Sequence, residues 1–276
     1  MFRLTLVLVN WLSLIAMGVA AWTALWAYST HRYVDAFSDA IVPVSGSPEQ
    51  KIQAILDWMA HPPARFSGGI VGTPDDRDPL DTLNYKSLLE VCGTATNAFI
   101  NLADTSDLRT RRLLLLDTNH STKHVDAEVF VNGRWIVVDP AFRVILRGAD
   151  GQTLTRRELA DPAVFAAATR NIPHYDPSYS FERTVHIRLA GLRFVGTLAG
   201  KTLNFMAPGW EDSAAISLVM ERRELAGMIA AILGVLCLIV VRFSLRWYGR
   251  KRLHIDLIPV PMRLQRAYRA FVDPAS

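Results

Sequence analysis

The stretch His124-Val125-Asp126-Ala127-Glu128-Val129-Phe130-Val131-Asn132-Gly133-Arg134-Trp135-Ile136-Val137-Val138-Asp139-Pro140 decides how the middle of this chain folds. Asn132-Gly133 is the strongest short hairpin signal, because both residues tolerate the positive φ of a type I′ turn. Residues 124–131 and 134–139 flank it and predict two antiparallel strands. With a two-residue turn, Phe130 faces Trp135, Glu128 faces Val137 and Asp126 faces Asp139. Side chains alternate between faces along a strand. Val125, Ala127, Val129, Val131, Ile136 and Val138 therefore line one face, and all of them are apolar. His124, Asp126, Glu128, Phe130, Trp135, Val137 and Asp139 line the other. His124 and Asp139 become diagonal neighbours with Cβ atoms roughly 7–8 Å apart or less, a gap that one hydrogen bond closes. The same pairing sets Asp126 opposite Asp139, two like charges on one face. Either the register slips at the strand ends, or one carboxyl is raised in pKa or paired with a base. Asp126 is thus the reserve candidate for an orienting acid.

Upstream of the hairpin, Cys92 opens a helix-patterned stretch in which Ala95, Ala98, Phe99 and Leu102 share one face. A thiol, an imidazole and a carboxylate are the parts of a nucleophilic acyl-transfer site. The first turn of a helix favours thiolate over thiol and offers N–H groups to a developing oxyanion. The bland reading of a single Cys is a small buried hydrophobe. The only other cysteine, Cys237, lies in an apolar run, so an internal disulfide framework is excluded.

Val91-Cys92-Gly93 together with the 124–140 stretch resembles the core of the transglutaminase-like, papain-related superfamily. The match is closest over residues 84–142 and looser over 50–180. The resemblance implies an α+β, papain-like fold in which the Cys helix packs on an antiparallel sheet. It implies Cys92 as nucleophile, His124 as base and Asp139 as orienter, with no cofactor and no metal. It covers proteases, amidases and amine-transferring transglutaminases. This chain departs from the usual pattern at Val91, at Gly93-Thr94-Ala95 and at Asp126, where an aromatic residue is common. The oxyanion partner is unmarked; Tyr85, Asn84 and Trp58 are candidates with equally good structural roles. His120 and His124 are four apart, but on a loop and strand without a third ligand they do not predict zinc. His174 and His186 read as surface or strand residues. The glycines near Gly68 lack the Lys-Ser/Thr of a phosphate cradle.

Elsewhere, Ser47 before Pro48 predicts a helix start, Ile52, Ile55, Leu56 and Met59 repeat at helical spacing, and His61-Pro62-Pro63 ends the helix. Residues 67–81, rich in Gly, Pro and charge, predict an exposed loop that could act as a lid. Leu113–Leu116 predicts a buried strand. Thr155–Leu159 predicts a small helix that ends at Asp161-Pro162, and residues 183–205 predict further strand.

The chain has 276 residues and is 50% hydrophobic. Residues 4–28 and 225–241 carry no charge. A membrane-spanning helix needs roughly 20 apolar residues, range about 17–25. The alternatives are a cleaved signal peptide for the first block and a buried core helix for the second. Length and the late Trp22, Trp26 and Tyr28 favour a retained anchor; Arg242, Arg246, Arg250, Lys251 and Arg252 mark a cytoplasmic flank. From residue 242 onward eight Lys/Arg face two Asp, a surplus above the whole net charge of +4. The basicity therefore points to a phospholipid surface and not to nucleic acid. The expected organisation is a transmembrane helix over 1–29, an extracytoplasmic domain over 30–224, a second helix over 225–245 and a basic cytoplasmic tail over 246–276. Within that tail, Met262–Phe271 predicts a basic helix on the inner leaflet or a frayed end. Flexible linkers of 18 or 19 residues, at 30–47 and 206–224, would hold the domain within roughly 20–25 Å of the bilayer. The expected activity is acyl transfer or hydrolysis at an amide of an envelope protein, peptide or polymer, by a two-pass inner-membrane enzyme. The alternative is a catalytically silent binding module in envelope or polysaccharide assembly.

Overall fold

The computed structural model describes residues 2–62, 75, 77–187 and 193–254. In order along the chain these form α1 (Phe2–Ile41), α2 (Pro48–Ala60), α3 (Pro79–Asn84), α4 (Lys86–Leu89) and α5 (Cys92–Thr105). The strands β1 (Thr110–Leu116), β2 (Thr122–Val131), β3 (Arg134–Asp139) and β4 (Val144–Ile145) follow. Then come α6 (Arg156–Leu159), α7 (Pro162–Thr169), β5 (Thr184–Val185), α8 (Arg193–Met206), a short 3₁₀ turn (Trp210–Asp212), α9 (Ala214–Glu221) and α10 (Arg223–Lys251). The chain divides into two compact units, residues 26–226 on one hand and residues 1–25 with 227–276 on the other.

Residues 26–226 are α+β around one antiparallel sheet with strand order β4-β3-β2-β1-β5. β2 and β3 pair from Val131↔Arg134 to Ala127↔Val138, in the register that the Asn132-Gly133 turn requires. Both turn residues have positive φ, 50° at Asn132 and 83° at Gly133. The apolar face packs Ala127, Val129, Ile136 and Val138 against Ile55, Leu56, Met59, Phe99 and Leu102 of the helices. The opposite face buries Leu113, Leu115 and Val137 against Leu154, Leu159, Phe165 and Phe181. β5 covers only Leu114 and Leu115 of β1. Nearer the start of β1, Arg112 N–H donates to Ser217 Oγ at 3.0 Å, so α9 shields that edge from further pairing.

The start of α2 is a capping box: Ser47 Oγ accepts from Gln50 N–H, and Ser47 N–H donates to the Gln50 side chain at 2.8 Å. The helix from Cys92 is buried on more than the one face its pattern predicts, from Thr94 to Ala103. Asn97 and Asn101 are enclosed too, and Asn101 accepts from Arg222 Nε at 2.6 Å. A helix wrapped by α2, α3, α4 and two strands needs such internal partners for its polar side chains.

Three expectations are corrected, and the small helix expected over Thr155–Leu159 is present with a second one directly after it. Among the described residues of the 183–205 segment only Thr184–Val185 is strand: Arg193–Met206 is helical, and Leu198 stands three and four residues after Val195 and Phe194, as a helix requires. Asp161-Pro162 begins a helix as well as following one, since Asp161 Oδ1 accepts from Ala163 N–H at 2.8 Å and Pro162 takes the first helical position. The assumed coil linkers are largely helical, through Ile41 on one side and over Ala214–Glu221 on the other, so a random-coil reach does not apply. His186 is buried, at 4% exposure, not on the surface. The lid loop lies largely outside the described residues, and its end at Pro79 is helical. The basic helix at 262–271 lies outside them altogether.

The other unit carries the apolar lengths of α1 and α10, two helices long and apolar enough to cross a membrane. Leu4, Trp11, Trp22 and Leu25 on α1 and Leu233, Leu236, Val240 and Phe243 on α10 are exposed. Apolar surface of that extent suits lipid rather than water. The chain is compatible with a two-pass membrane protein.

Candidate functional site

Cys92 is the first residue of α5, whose N-cap, Val91, offers no side-chain oxygen to the helix start. The early N–H groups of the helix are therefore free of a side-chain cap, and the positive end of its dipole bears on the sulfur. Thr96, one turn further on, donates its hydroxyl to Val125 O at 2.9 Å. That buried peg joins the cysteine helix to β2 beside His124. Arg143, at φ 58° in the turn after β3, donates Nη2 to Leu89 O at 2.7 Å and ties that turn to the segment before Cys92.

His124 is 2% exposed. Its Nε2 lies 2.8 Å from Asp139 Oδ2 and 3.2 Å from Asp126 Oδ1. With Nε2 committed to the acids, Nδ1 is left for the half-buried Cys92. Asp139 is held as an acceptor: Oδ1 takes Ala141 N–H at 3.0 Å and Phe142 N–H at 3.1 Å. The Pro140 turn thus locks the carboxylate while its other oxygen faces the imidazole. Asp126 is wholly buried, and neither of its oxygens receives a hydrogen bond; the 3.2 Å approach to His124 has the distance of one without its angles.

The electrostatics follow from these contacts. The hydrogen bond with His124 pulls the Cys92 thiol below its ordinary value against the opposing effect of burial, and N–H groups of Gly93 and Val125 assist. Burial alone would lower His124, but Asp126, Asp139 and Cys92 together hold it above its ordinary value. Both directions favour a thiolate–imidazolium pair over a thiol beside a neutral imidazole. Burial, and then the Asp139 charge, push Asp126 up to about 8, although His124 pulls the other way.

The aromatic roof of this site was not legible in the sequence. The Tyr179 ring stacks on His124 at 4.3 Å and 12°. Phe142 lies 5.9 Å from His124, and Tyr175 lies 4.5 Å from Phe142. The loop that carries the tyrosines is fixed by Asp176, which accepts Ser178 N–H at 2.8 Å, and by Lys123, which donates to Ser178 O at 3.3 Å. Tyr175 and Tyr179 also line a cavity of about 540 Å³ with Phe165, Arg170 and Phe181. The density of aromatics over 175–181 was the available signal, without a rule to say what they cover.

The proposed Cys, His and Asp are thus brought together, and the other candidates have roles of their own. Asn84 accepts from Tyr33 at 3.4 Å, and Trp58 packs edge-on against Phe37 at 5.1 Å. Tyr85 joins α3 to α4. His120 and His174 are exposed, both at positive φ. Donor atoms of His124, Asp126 and Asp139 lie within 4.8 Å of one another, near enough for a cation on distance alone. His124 Nε2 and both Asp139 oxygens already have partners within the protein, and the trio is read here as an acid–base cluster.

A second cluster sits one step along β2. Glu128 Oε2 meets Arg111 Nε and His186 Nε2, each at 2.7 Å, and His186 Nδ1 meets Asp212 Oδ1 at 2.8 Å. Arg111 also donates to Asp212 O at 2.8 Å and lies over the Trp135 ring at 4.1 Å. Comparison of the chain with protein-family models, curated proteins and solved structures finds no match.

Proposed function

We propose that this chain is a membrane-anchored cysteine enzyme that forms a thioester at Cys92 from an amide, in the manner of transglutaminase-like and papain-related enzymes. The observation that carries the reading is the chain of contacts from Cys92 to His124 to Asp139, completed by Ala141 and Phe142 N–H. Such a chain serves no packing need, because each buried polar group in it costs desolvation that apolar side chains would avoid.

The steps follow from the protonation states. Cys92 thiolate attacks the amide carbonyl carbon, and the C–S bond forms as the oxygen takes negative charge. N–H groups at the start of α5 are the nearest preorganised donors for that oxygen. The C–N bond then breaks, and the departing nitrogen takes the proton from His124 Nδ1. Water or an amine attacks the thioester and gives a proton back to Nδ1, and C–S cleavage restores the thiolate. Asp139 holds the tautomer throughout without taking the proton. On the two-pass reading, the basic residues Arg242–Arg252 favour a cytoplasmic C-terminus, with residues 30–224 outside the cytoplasm. The substrate class is then an envelope protein, peptide or polymer.

Incubation of the full-length protein in its native membranes, followed by mass spectrometry of the Cys92 peptide, tests this reading. A hydroxylamine-labile acyl adduct on Cys92, absent from His124→Ala, is expected. A Cys92 that iodoacetamide labels readily at acid pH but that never carries an acyl group would overturn the enzyme reading in favour of a silent binding module.

A further inference from the structure

At His124 two carboxyls meet one imidazole nitrogen, and only one of them is built to be an anion. Asp139 accepts two backbone N–H groups and the imidazole. Asp126 is 0% exposed and accepts nothing. The groups that face it are His124 on its own strand, Asp139 on β3 and the phenol of Tyr175 from the segment after α7. Its partner position on β1 is Leu113, which is apolar. From α5, Cys92 reaches His124. Arg143, the cation beside Asp139, is engaged with the carbonyls of Leu89 and Ala141. Two buried carboxylates against one imidazolium would leave a net negative charge, before the thiolate is counted. A carboxyl in that position neutralises instead of ionising. A protonated carboxyl also gains an O–H to donate, whereas an ionised one can only accept.

We propose that Asp126 is a positioning residue held as the neutral acid, its O–H directed to the Asp139 carboxylate, so that His124 Nε2 faces one carboxylate and one carboxylic acid. The upward push on Asp126 from burial and from Asp139 agrees with this arrangement. Its consequence is that His124 faces a single negative charge from behind. A second would hold the imidazolium proton too tightly for transfer to the departing nitrogen. Ionisation of Asp126 at alkaline pH should therefore slow thioester formation from an amide while the thiolate itself persists. The effect on turnover rests on the thiol reading above; the protonation state does not.

Infrared spectroscopy of the full-length protein in detergent, with carbon-13 in its aspartates, tests the acid directly. At neutral pH a protonated-carboxyl stretch that shifts with the label is expected. It should fade as the pH passes about 8. It should be missing in Asp126→Asn and retained in Asp104→Asn, which removes another aspartate that burial pushes up. The wild-type titration alone decides the protonation state if Asp126→Asn does not fold. In parallel, p-nitrophenyl acetate supplies an acetyl group to Cys92. With acetyl-p-nitroanilide, an amide whose departing nitrogen needs the His124 proton, wild-type release of nitroaniline should fall about tenfold per pH unit above the midpoint of that band, and Asp126→Asn should lose this alkaline limb. Absence of the band from an acylating wild type overturns the neutral acid, as does a band that emerges only after chelation, which would assign a bound cation in place of the proton. A band present in a protein that p-nitrophenyl acetate does not acylate supports the neutral acid and sinks the thiol reading instead.

Discussion

Two histidine–carboxylate clusters lie side by side on β2, and they differ in how well they are satisfied. Glu128 faces Arg111 and His186, and His186 is closed on its other nitrogen by Asp212. Charges alternate there, and both histidine nitrogens have acceptors. Four residues earlier, His124 faces Asp126 and Asp139 with no second cation in contact among the described residues, and neither side-chain oxygen of Asp126 receives a hydrogen bond. The first arrangement gains stability from completeness. The second retains a surplus of acid beside the Cys92 thiol, and surplus of that kind shifts proton affinities. The Glu128 cluster holds the sheet to the Trp210–Asp212 turn, whereas the His124 cluster draws the Cys92 thiol below its ordinary value.

The difference can be broken from either side. The largest effect is expected from Asp139→Asn. The amide still offers an oxygen to Ala141 and Phe142, so the fold should persist, but it stabilises the wrong tautomer of His124. Acyl turnover from p-nitrophenyl acetate should fall about 10⁴-fold, as in other triads, with circular dichroism unchanged. Next comes Glu128→Ala, which leaves Arg111 and His186 buried without their shared anion. Urea denaturation should show a loss of about 3–5 kcal/mol, while Cys92 alkylation in the folded protein keeps its pH profile.

The same carboxylate gives the comparison a pH signature. Burial opposes the charge on Glu128, but His186 and Arg111 overcome it and hold the group below its ordinary value. A depressed folded pKa stabilises the fold above the unfolded value, and that stabilisation is lost as pH falls through the folded one. Wild-type stability should therefore drop on acidification below about pH 4.3, the usual glutamate value, by more than that of Glu128→Gln. A smaller effect is expected from Thr96→Val, which removes the donor to Val125 O. It should cost about 1 kcal/mol and also slow Cys92 alkylation by loosening the helix against β2. Smallest of all, Gly133→Ala should cost about 1 kcal/mol in thermal denaturation and leave alkylation untouched, since its φ is 83° and it lies at the far end of the hairpin.

The parts of this architecture that depend on short-range rules were legible before any coordinates. Asn132-Gly133 set the register, alternation placed His124 and Asp139 on one face, and Ser47-Pro48 marked a helix start. The clash of Asp126 with Asp139 was legible as a clash; its resolution was not, because protonation depends on burial and on every neighbour. Tyr175 and Tyr179 come from a loop more than thirty residues beyond the hairpin, and no periodicity predicts where such a loop folds back. His186 was misplaced for the same reason: its partners Glu128 and Asp212 are remote in sequence. Phe194, Val195 and Leu198 were ambiguous because short apolar runs satisfy strand and helix spacing alike.

On the proposed reading His124 makes Cys92 a thiolate, and the Glu128 cluster leaves it alone. The rate of iodoacetamide alkylation of Cys92 against pH, in the full-length protein, measures this most directly. In the wild type fast alkylation should persist well below the free-thiol value of about 8.5. His124→Ala should move the inflection up toward that value, and His186→Ala should leave it in place. A wild-type inflection near the free-thiol value, unmoved by loss of His124, would contradict the assignment of Cys92, His124 and Asp139 as a working site.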